Sequence, residues 1–184
     1  MSISTRDGDD GKTLLRHGER VSKSHPRIQA NGAIEELSAA LGLAYSHLLN
    51  EKMRGEIRKM QEQLLLVSHE LLTFGNANSS RERDTFPAIS QEHLDYLETL
   101  VNDYENCGFN LSGWVFPGQT RADAFLHQAR AVTRRVERII QITCEADEPC
   151  SQVLKSYVNR LSDLLWLMAA YCAMRDNGLS RPPF

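Results

Sequence analysis

The chain reads as an all-α protein, a five-helix up-down bundle with an N-terminal loop, and three observations carry that expectation. Apolar residues recur at helical spacing in five segments, no stretch alternates in the manner of a strand, and the connections between segments are short or polar. With 184 residues, 41% hydrophobic and 24% charged, one domain with a sizeable core is expected over 1–184. Its parts would be a leader (1–29), a helical bundle (30–178) and a tail (179–184).

The first helix is expected from Gly32 to Leu49, with Ile34, Leu37, Leu41, Leu43 and Leu48 as its apolar stripe. After a break near Asn50 the second runs from Met53 to Phe74 through Ile57, Met60, Leu64, Leu65, Val67, Leu71 and Leu72, and should pack antiparallel to the first. The segment Gly75 to Arg83 is rich in Asn, Ser and charge and reads as a linker. Pro87 and Ser90-x-x-His93 then open a third helix through Leu94, Leu97, Leu100, Val101 and Tyr104. Gly108 to Gly118 has loop composition with an unusual aromatic content. A fourth helix follows from Gln119 to Cys144. Asp147-Glu148-Pro149 is a turn suited to a helix start, and Ser151 to Asp176 forms the last helix, ended by Asn177-Gly178.

Composition excludes several classes. A net charge of −3 supplies no general basic field, so nucleic acid is not an expected partner. The polar N-terminus lacks a signal peptide's apolar core, and the most apolar segment, Leu161 to Cys172, is too short to span a bilayer. A cytoplasmic protein with no membrane partner is expected. The four cysteines, Cys107, Cys144, Cys150 and Cys172, form no C-x-x-C pair and are expected as reduced thiols without zinc.

Three features carry chemistry. Along Arg130-Ala-Val-Thr-Arg134-Arg135-Val-Glu137-Arg138, Arg130, Arg134 and Glu137 project within roughly 60° of one another at about 100° per residue. Phe125, Val132, Val136, Ile139 and Ile140 fall on the opposite side. Such a row suits water, carboxylates or a polyanion, and the planar guanidinium fork pairs bidentately with phosphate. The segment Thr5-Arg6-Asp7-Gly8-Asp9-Asp10-Gly11-Lys12-Thr13 is too polar and glycine-rich for a helix and lacks strand alternation, so it must be a loop. It can serve as a phosphate and magnesium cradle, but it lacks the Walker spacing. In the last helix Ser156, Asn159 and Asp163 share a polar face, either as an interhelical network or, through Asn159, as a reader of a purine edge or ribose hydroxyl.

Five collinear stretches then resemble the PduO-type ATP:corrinoid adenosyltransferases. They are the Thr5 to Thr13 segment, Arg27-Ile28 leading to Gly32-Ala-Ile-Glu35-Glu36-Leu37, Trp114-Val-Phe-Pro117-Gly118, Leu126-His127-x-Ala129-Arg130-x-x-x-Arg134-Arg135-x-Glu137-Arg138, and Tyr157-x-Asn159-Arg160-Leu161-Ser162-Asp163. The resemblance covers nearly the whole chain. It implies a five-helix bundle assembled as a homotrimer with active sites at subunit interfaces. The activity it implies is transfer of the 5′-deoxyadenosyl group from ATP to cob(I)alamin or a related corrinoid, with release of triphosphate. A carrier or sensor of ATP and corrinoid on the same fold is the alternative. A cobalamin reductase and a cobalamin-dependent enzyme are implied partners.

Under this resemblance Thr5, Arg6, Gly8, Asp9, Gly11, Lys12, Thr13 and Lys23 wrap the ATP phosphates with magnesium, and no protein-only metal site is implied. Arg130 and Arg134 neutralise the leaving group and are the catalytic pair, Asn159 orients the nucleoside, and Glu137 binds the ribose or braces Arg134. Trp114 and Phe116 face the corrinoid, with Trp114 where the family usually has Phe, packed to exclude the lower axial ligand. Glu35, where the family has Asp, would meet Arg130 across a subunit boundary. Arg135, Arg138 and Asp163 would form supporting ion pairs. Gln119 replaces a second glycine after Pro117, and Asp10 and Lys12 also depart from the family pattern.

Overall fold

In the computed structural model, residues 4, 6–15, 18–73, 87–108, 115–146 and 150–176 are described. They form a short antiparallel hairpin, β1 (Lys12–Leu14) and β2 (Arg20–Ser22), followed by α1 (Pro26–His47), α2 (Glu51–Thr73), α3 (Gln91–Glu105), α4 (Arg121–Ala146) and α5 (Gln152–Asp176). The expected linker at 75–83, the turn at 147–149 and the stop at 177–178 lie outside the described residues.

α1 begins at Pro26, six residues before the expected Gly32 and inside the expected leader. Proline in the first turn loses no helical bond there, and the ring Nδ1 of His25 accepts the Arg27 backbone N–H at 3.3 Å. At the starts of α2 and α5, Asn50 Oδ1 accepts the Met53 N–H at 3.2 Å and Ser151 Oγ accepts the Leu154 N–H at 3.1 Å.

Helix directions follow from contacts near their ends. Ser68 of α2 bonds to Asn31 near the start of α1, and Gln61 Nε2 donates to Ser38 O at 2.8 Å, so α1 and α2 are antiparallel. His47 at the end of α1 packs on Phe125 at the start of α4, while Thr143 near the end of α4 donates to Pro26 O, so that pair is antiparallel too. α5 returns beside α4 and also lies along α3, which gives the lateral order α2, α1, α4, α5, α3. Tyr104 of α3 donates to Glu56 of α2 at 2.7 Å and closes the ring.

Inside lie Leu37 and Leu41, Ile57, Met60 and Leu64, Leu97, Leu126, Val136 and Ile140, and Leu154, Leu161 and Leu165. Each such side chain contributes about 1.5–3 kcal/mol by leaving water. Tyr157 is wholly buried and its hydroxyl donates to Gln63 Oε1 at 2.9 Å, so a polar group in the core is satisfied rather than stranded.

Two expectations are corrected. The N-terminal segment is not all loop: Thr13 pairs with Val21 at the centre of the hairpin. Each strand has only three residues and Val21 alone is buried among them, so no alternation was there to read. Cys144 and Cys150, expected as reduced thiols, form a disulfide, because the antiparallel return of α5 brings their Cα atoms to 5.5 Å. Cys107 and Cys172 are in no disulfide among the described residues.

Candidate active site

α4 places its apolar residues Ala122, Leu126, Ala129, Val132, Val136 and Ile140 in the core, which turns Arg130, Arg134 and Glu137 outward. Arg134 Nη1 donates to Glu137 Oε2 at 2.6 Å, and Asn159 Nδ2 of α5 donates to Glu137 Oε1 at 3.1 Å. Both carboxylate oxygens are thus engaged, and the guanidinium and the amide are held on one seam between α4 and α5. Glu137 is half-buried in this bridge, where a charge-assisted bond outweighs an ordinary exposed pair.

Arg130 lies one turn before Arg134 and has no hydrogen bond or ion pair among the described residues. Beside it, His127 is 8% exposed and its Nε2 has no hydrogen-bond partner. Burial holds the His127 ring below its ordinary pKa, against the opposing pull of the Asp123 charge, and Arg130 lowers it further. A neutral imidazole adds no repulsion to Arg130.

Of the three expected supporting ion-pair residues, Arg135 and Asp163 form pairs and Arg138 forms none among the described residues. Arg135 pairs with Glu36 of α1, so the carboxylate next to Glu35 is the one that ties α1 to α4. Glu35 is exposed and accepts from Asn31 Nδ2 at 2.8 Å. Within the protomer Glu35 does not pair with Arg130. Asp163 pairs with Arg160 at 3.1 Å, and Arg160 also reaches Glu98 of α3 at 3.5 Å. Arg138 is exposed without an ion pair among the described residues.

The N-terminal residues form a concavity of their own. The Asp9 N–H donates to Arg6 O and the Gly11 N–H to Gly8 O, both at 3.2 Å, which winds residues 6–11 into consecutive turns. Arg6 and Gly11 adopt left-handed φ angles of 64° and 78° there. Asp10 Oδ1 accepts the Lys12 N–H at 3.2 Å, and its Oδ2 pairs with Arg20 at 2.9 Å. A groove of about 810 Å³ results, lined by Arg6, Gly8, Asp9, Lys12, Thr13 and Arg20 among others. A Cβ on Gly8 would come within 2.8 Å of Lys23 Nζ, so the ammonium of Lys23 closes over that glycine.

The structure therefore brings the predicted site residues together in two groups. Arg6, Gly8, Asp9, Gly11, Lys12, Thr13 and Lys23 surround the hairpin; Arg130, Arg134, Glu137 and Asn159 occupy the α4–α5 seam. The strands pack chiefly on each other, and among the described residues the side-chain bonds of Arg134, Glu137 and Asn159 go only to one another. Thr5 and Trp114 lie outside the described residues, while Phe116 is 58% exposed just ahead of the Pro117-Gly118 turn. Arg20 was missed by sequence reasoning because its role depends on strand pairing. Asp123 was missed because an acidic residue in the first turn of a helix is common.

Two basic groups of this kind, one on a glycine-rich leader and one on a helix seam, suit a bound polyphosphate nucleoside. Residues 3–172 match the family model described as cobalamin adenosyltransferase. The corrinoid adenosyltransferase PduO of Salmonella typhimurium is 38% identical over 170 residues, covering 92% of this chain and 49% of that protein. The chain thus spans about half the length of that relative. A corrinoid adenosyltransferase of Citrobacter freundii is 34% identical over 167 residues, covering 91% of this chain and 92% of that one. Among solved structures, a variant PduO-type ATP:corrinoid adenosyltransferase from Lactobacillus reuteri complexed with cobalamin and ATP matches with a TM-score of 0.84 at 28% identity, covering 96% of each chain. With the family model spanning residues 3–172 and both bundle and seam in place, the chain belongs to the cobalamin adenosyltransferase family.

Proposed function

We propose that this chain transfers the 5′-deoxyadenosyl group of ATP to the cobalt of a reduced corrinoid, forming adenosylcobalamin from cob(I)alamin and releasing triphosphate. The observation that carries the reading is the Arg134–Glu137–Asn159 bridge with Arg130, which has no partner among the described residues, one turn away. An arginine already fixed by a carboxylate, an amide beside it and a second arginine one turn away suit a nucleoside joined to a triphosphate.

In this reading cobalt(I) is the nucleophile. Its electron pair forms the bond to the ribose C5′ as the C5′–O bond breaks, and that bond's pair leaves with the triphosphate. The protein supplies no nucleophile and no proton shuttle. Its work is alignment and stabilisation of charge gathering on the leaving group. Arg130 and Arg134 supply the positive charge, Asn159 holds the nucleoside and Glu137 keeps Arg134 in place. Arg6, Gly8, Gly11, Lys12, Thr13 and Lys23, with Thr5, wrap the phosphates.

Magnesium bound with ATP fits these residues. The Asp9 carboxylate lines the groove without a partner among the described residues, and Thr13 adds an oxygen. The ion would neutralise phosphate charge. Asp9 would accept hydrogen bonds from its water shell.

The separation of the two basic groups favours assembly as a homotrimer in which one subunit's leader closes over another's α4–α5 seam. Trp114 and Phe116 would then face the corrinoid, and Glu35 would meet Arg130 of a neighbour. We place the protein in the cytoplasm, served by a cobalamin reductase and supplying a cobalamin-dependent enzyme. No described helix is long and apolar enough to cross a membrane.

Purified protein given magnesium, ATP and chemically reduced cobalamin should yield one triphosphate per light-sensitive cobalt–carbon bond. Binding of both substrates without that bond would identify a carrier or sensor instead.

A further inference from the structure

The turn that delivers the chain into α4 is held by a buried carboxylate. Asp123 is 0% exposed; its Oδ1 accepts the Gly118 N–H at 2.9 Å and its Oδ2 accepts the Gln119 N–H at 3.0 Å. Its own N–H donates to Thr120 Oγ1 at 3.0 Å. In an ordinary capping box the third helical residue reaches back to the amide of the cap itself. Asp123 reaches past Thr120 to the two residues before it.

Two consecutive amides bound to one carboxylate fix two peptide planes. Gly118 makes the reversal at φ 104°, where a side chain would be strained, whereas Gln119 shows no left-handed φ. The clamp thus explains how a glutamine is accommodated after Gly118. It also sets the direction in which Phe116 and Pro117 leave the helix. Arg130 stands seven residues beyond Asp123 on the same rigid helix, roughly 10 Å along its axis. One buried side chain therefore governs the spacing between Phe116 and Arg130.

We propose that Asp123 is a positioning residue for adenosyl transfer, its carboxylate holding the Gly118–Gln119 turn so that the corrinoid-facing residues keep a fixed distance from the arginine that meets the triphosphate. The inference rests on the transferase reading. Its chemical content is selective: loss of the clamp displaces the corrinoid and leaves the nucleotide grip of Arg134, Glu137 and Asn159 intact. A displacement of about 1 Å between reacting groups costs on the order of a hundredfold in rate.

The test compares full-length wild type with Asp123→Ala and Asp123→Asn, measuring KM for ATP and for cob(I)alamin separately alongside thermal unfolding. Asp123→Ala is expected to raise the corrinoid KM about tenfold or lower kcat by a similar factor, with the ATP KM within about twofold of wild type. Asp123→Asn keeps the shape and one acceptor oxygen and should fall between the two; it also supplies the answer if the alanine variant fails to fold. An active wild type with unchanged corrinoid parameters in both variants, or with both KM values rising in parallel, overturns the role of Asp123 alone. A wild type that makes no cobalt–carbon bond overturns the transferase reading and this inference together.

Discussion

Asn159 and Glu137 meet across the α4–α5 seam at 3.1 Å, and the same carboxylate holds Arg134 at 2.6 Å through its other oxygen. Removing either neighbour of Glu137 should therefore change how the other is held. Glu137→Gln and Asn159→Ala are expected to be non-additive, with a coupling of about 0.5–3 kcal/mol in kcat/KM for ATP. A double-mutant cycle measures it. Strict additivity would show that the bridge has no part in nucleotide recognition.

Arg130 has no partner among the described residues, so its loss should leave folding alone and act on chemistry. For Arg130→Ala we expect unfolding free energy within about 0.5 kcal/mol of wild type. The transfer rate should fall by at least about a hundredfold. A variant of near-normal rate would remove this arginine from the mechanism.

Tyr157 behaves in the opposite sense. Phenylalanine there deprives the buried Gln63 of its donor, at an expected cost of about 1–3 kcal/mol in urea unfolding. The KM for ATP should be unchanged. An equally stable Tyr157→Phe would mean that Gln63 finds another partner.

Gly11 adopts φ 78° with no atom within 4 Å of a Cβ built on it, so alanine there is opposed by backbone conformation alone. Gly11→Ala is expected to cost about 1 kcal/mol locally. The cost should appear as weaker magnesium-ATP binding by calorimetry, because Gly11 O also receives the Lys23 N–H at 2.9 Å. Unaltered affinity would separate this turn from the nucleotide.

Burial depresses the His127 pKa below its ordinary 6.5 in the folded state. On acidification the unfolded chain takes up this proton first, so His127 withdraws stability as pH falls below the ordinary value toward the folded one. Between about pH 7.5 and 5.5 wild type should lose more stability than His127→Gln. Equal losses in urea titrations at both pH values would show that the ring is not held neutral.

The helices were legible because a single period places Leu37 and Leu41, Ile57 and Leu64, or Val136 and Ile140 on one buried face. The arginine face followed from the same arithmetic. What could not be read depends on segments that meet only after folding. Arg20 finds Asp10 through strand pairing, and Cys144 finds Cys150 through the return of α5. Glu36 finds Arg135 through the way α1 is rotated against α4. Asp123 carries no motif, and its reach to Gly118 and Gln119 is a property of the turn's geometry.

Arg130 and Arg134 differ in how much freedom each retains. Arg134 is tethered before any nucleotide arrives, so little of its motion remains to be frozen on binding. Arg130 has no such tether among the described residues, and its attraction for an anion acts through water, where mobile ions weaken it. Ionic strength thus addresses the two side chains unequally, dulling the free one while the tethered one continues to fit its ligand by shape.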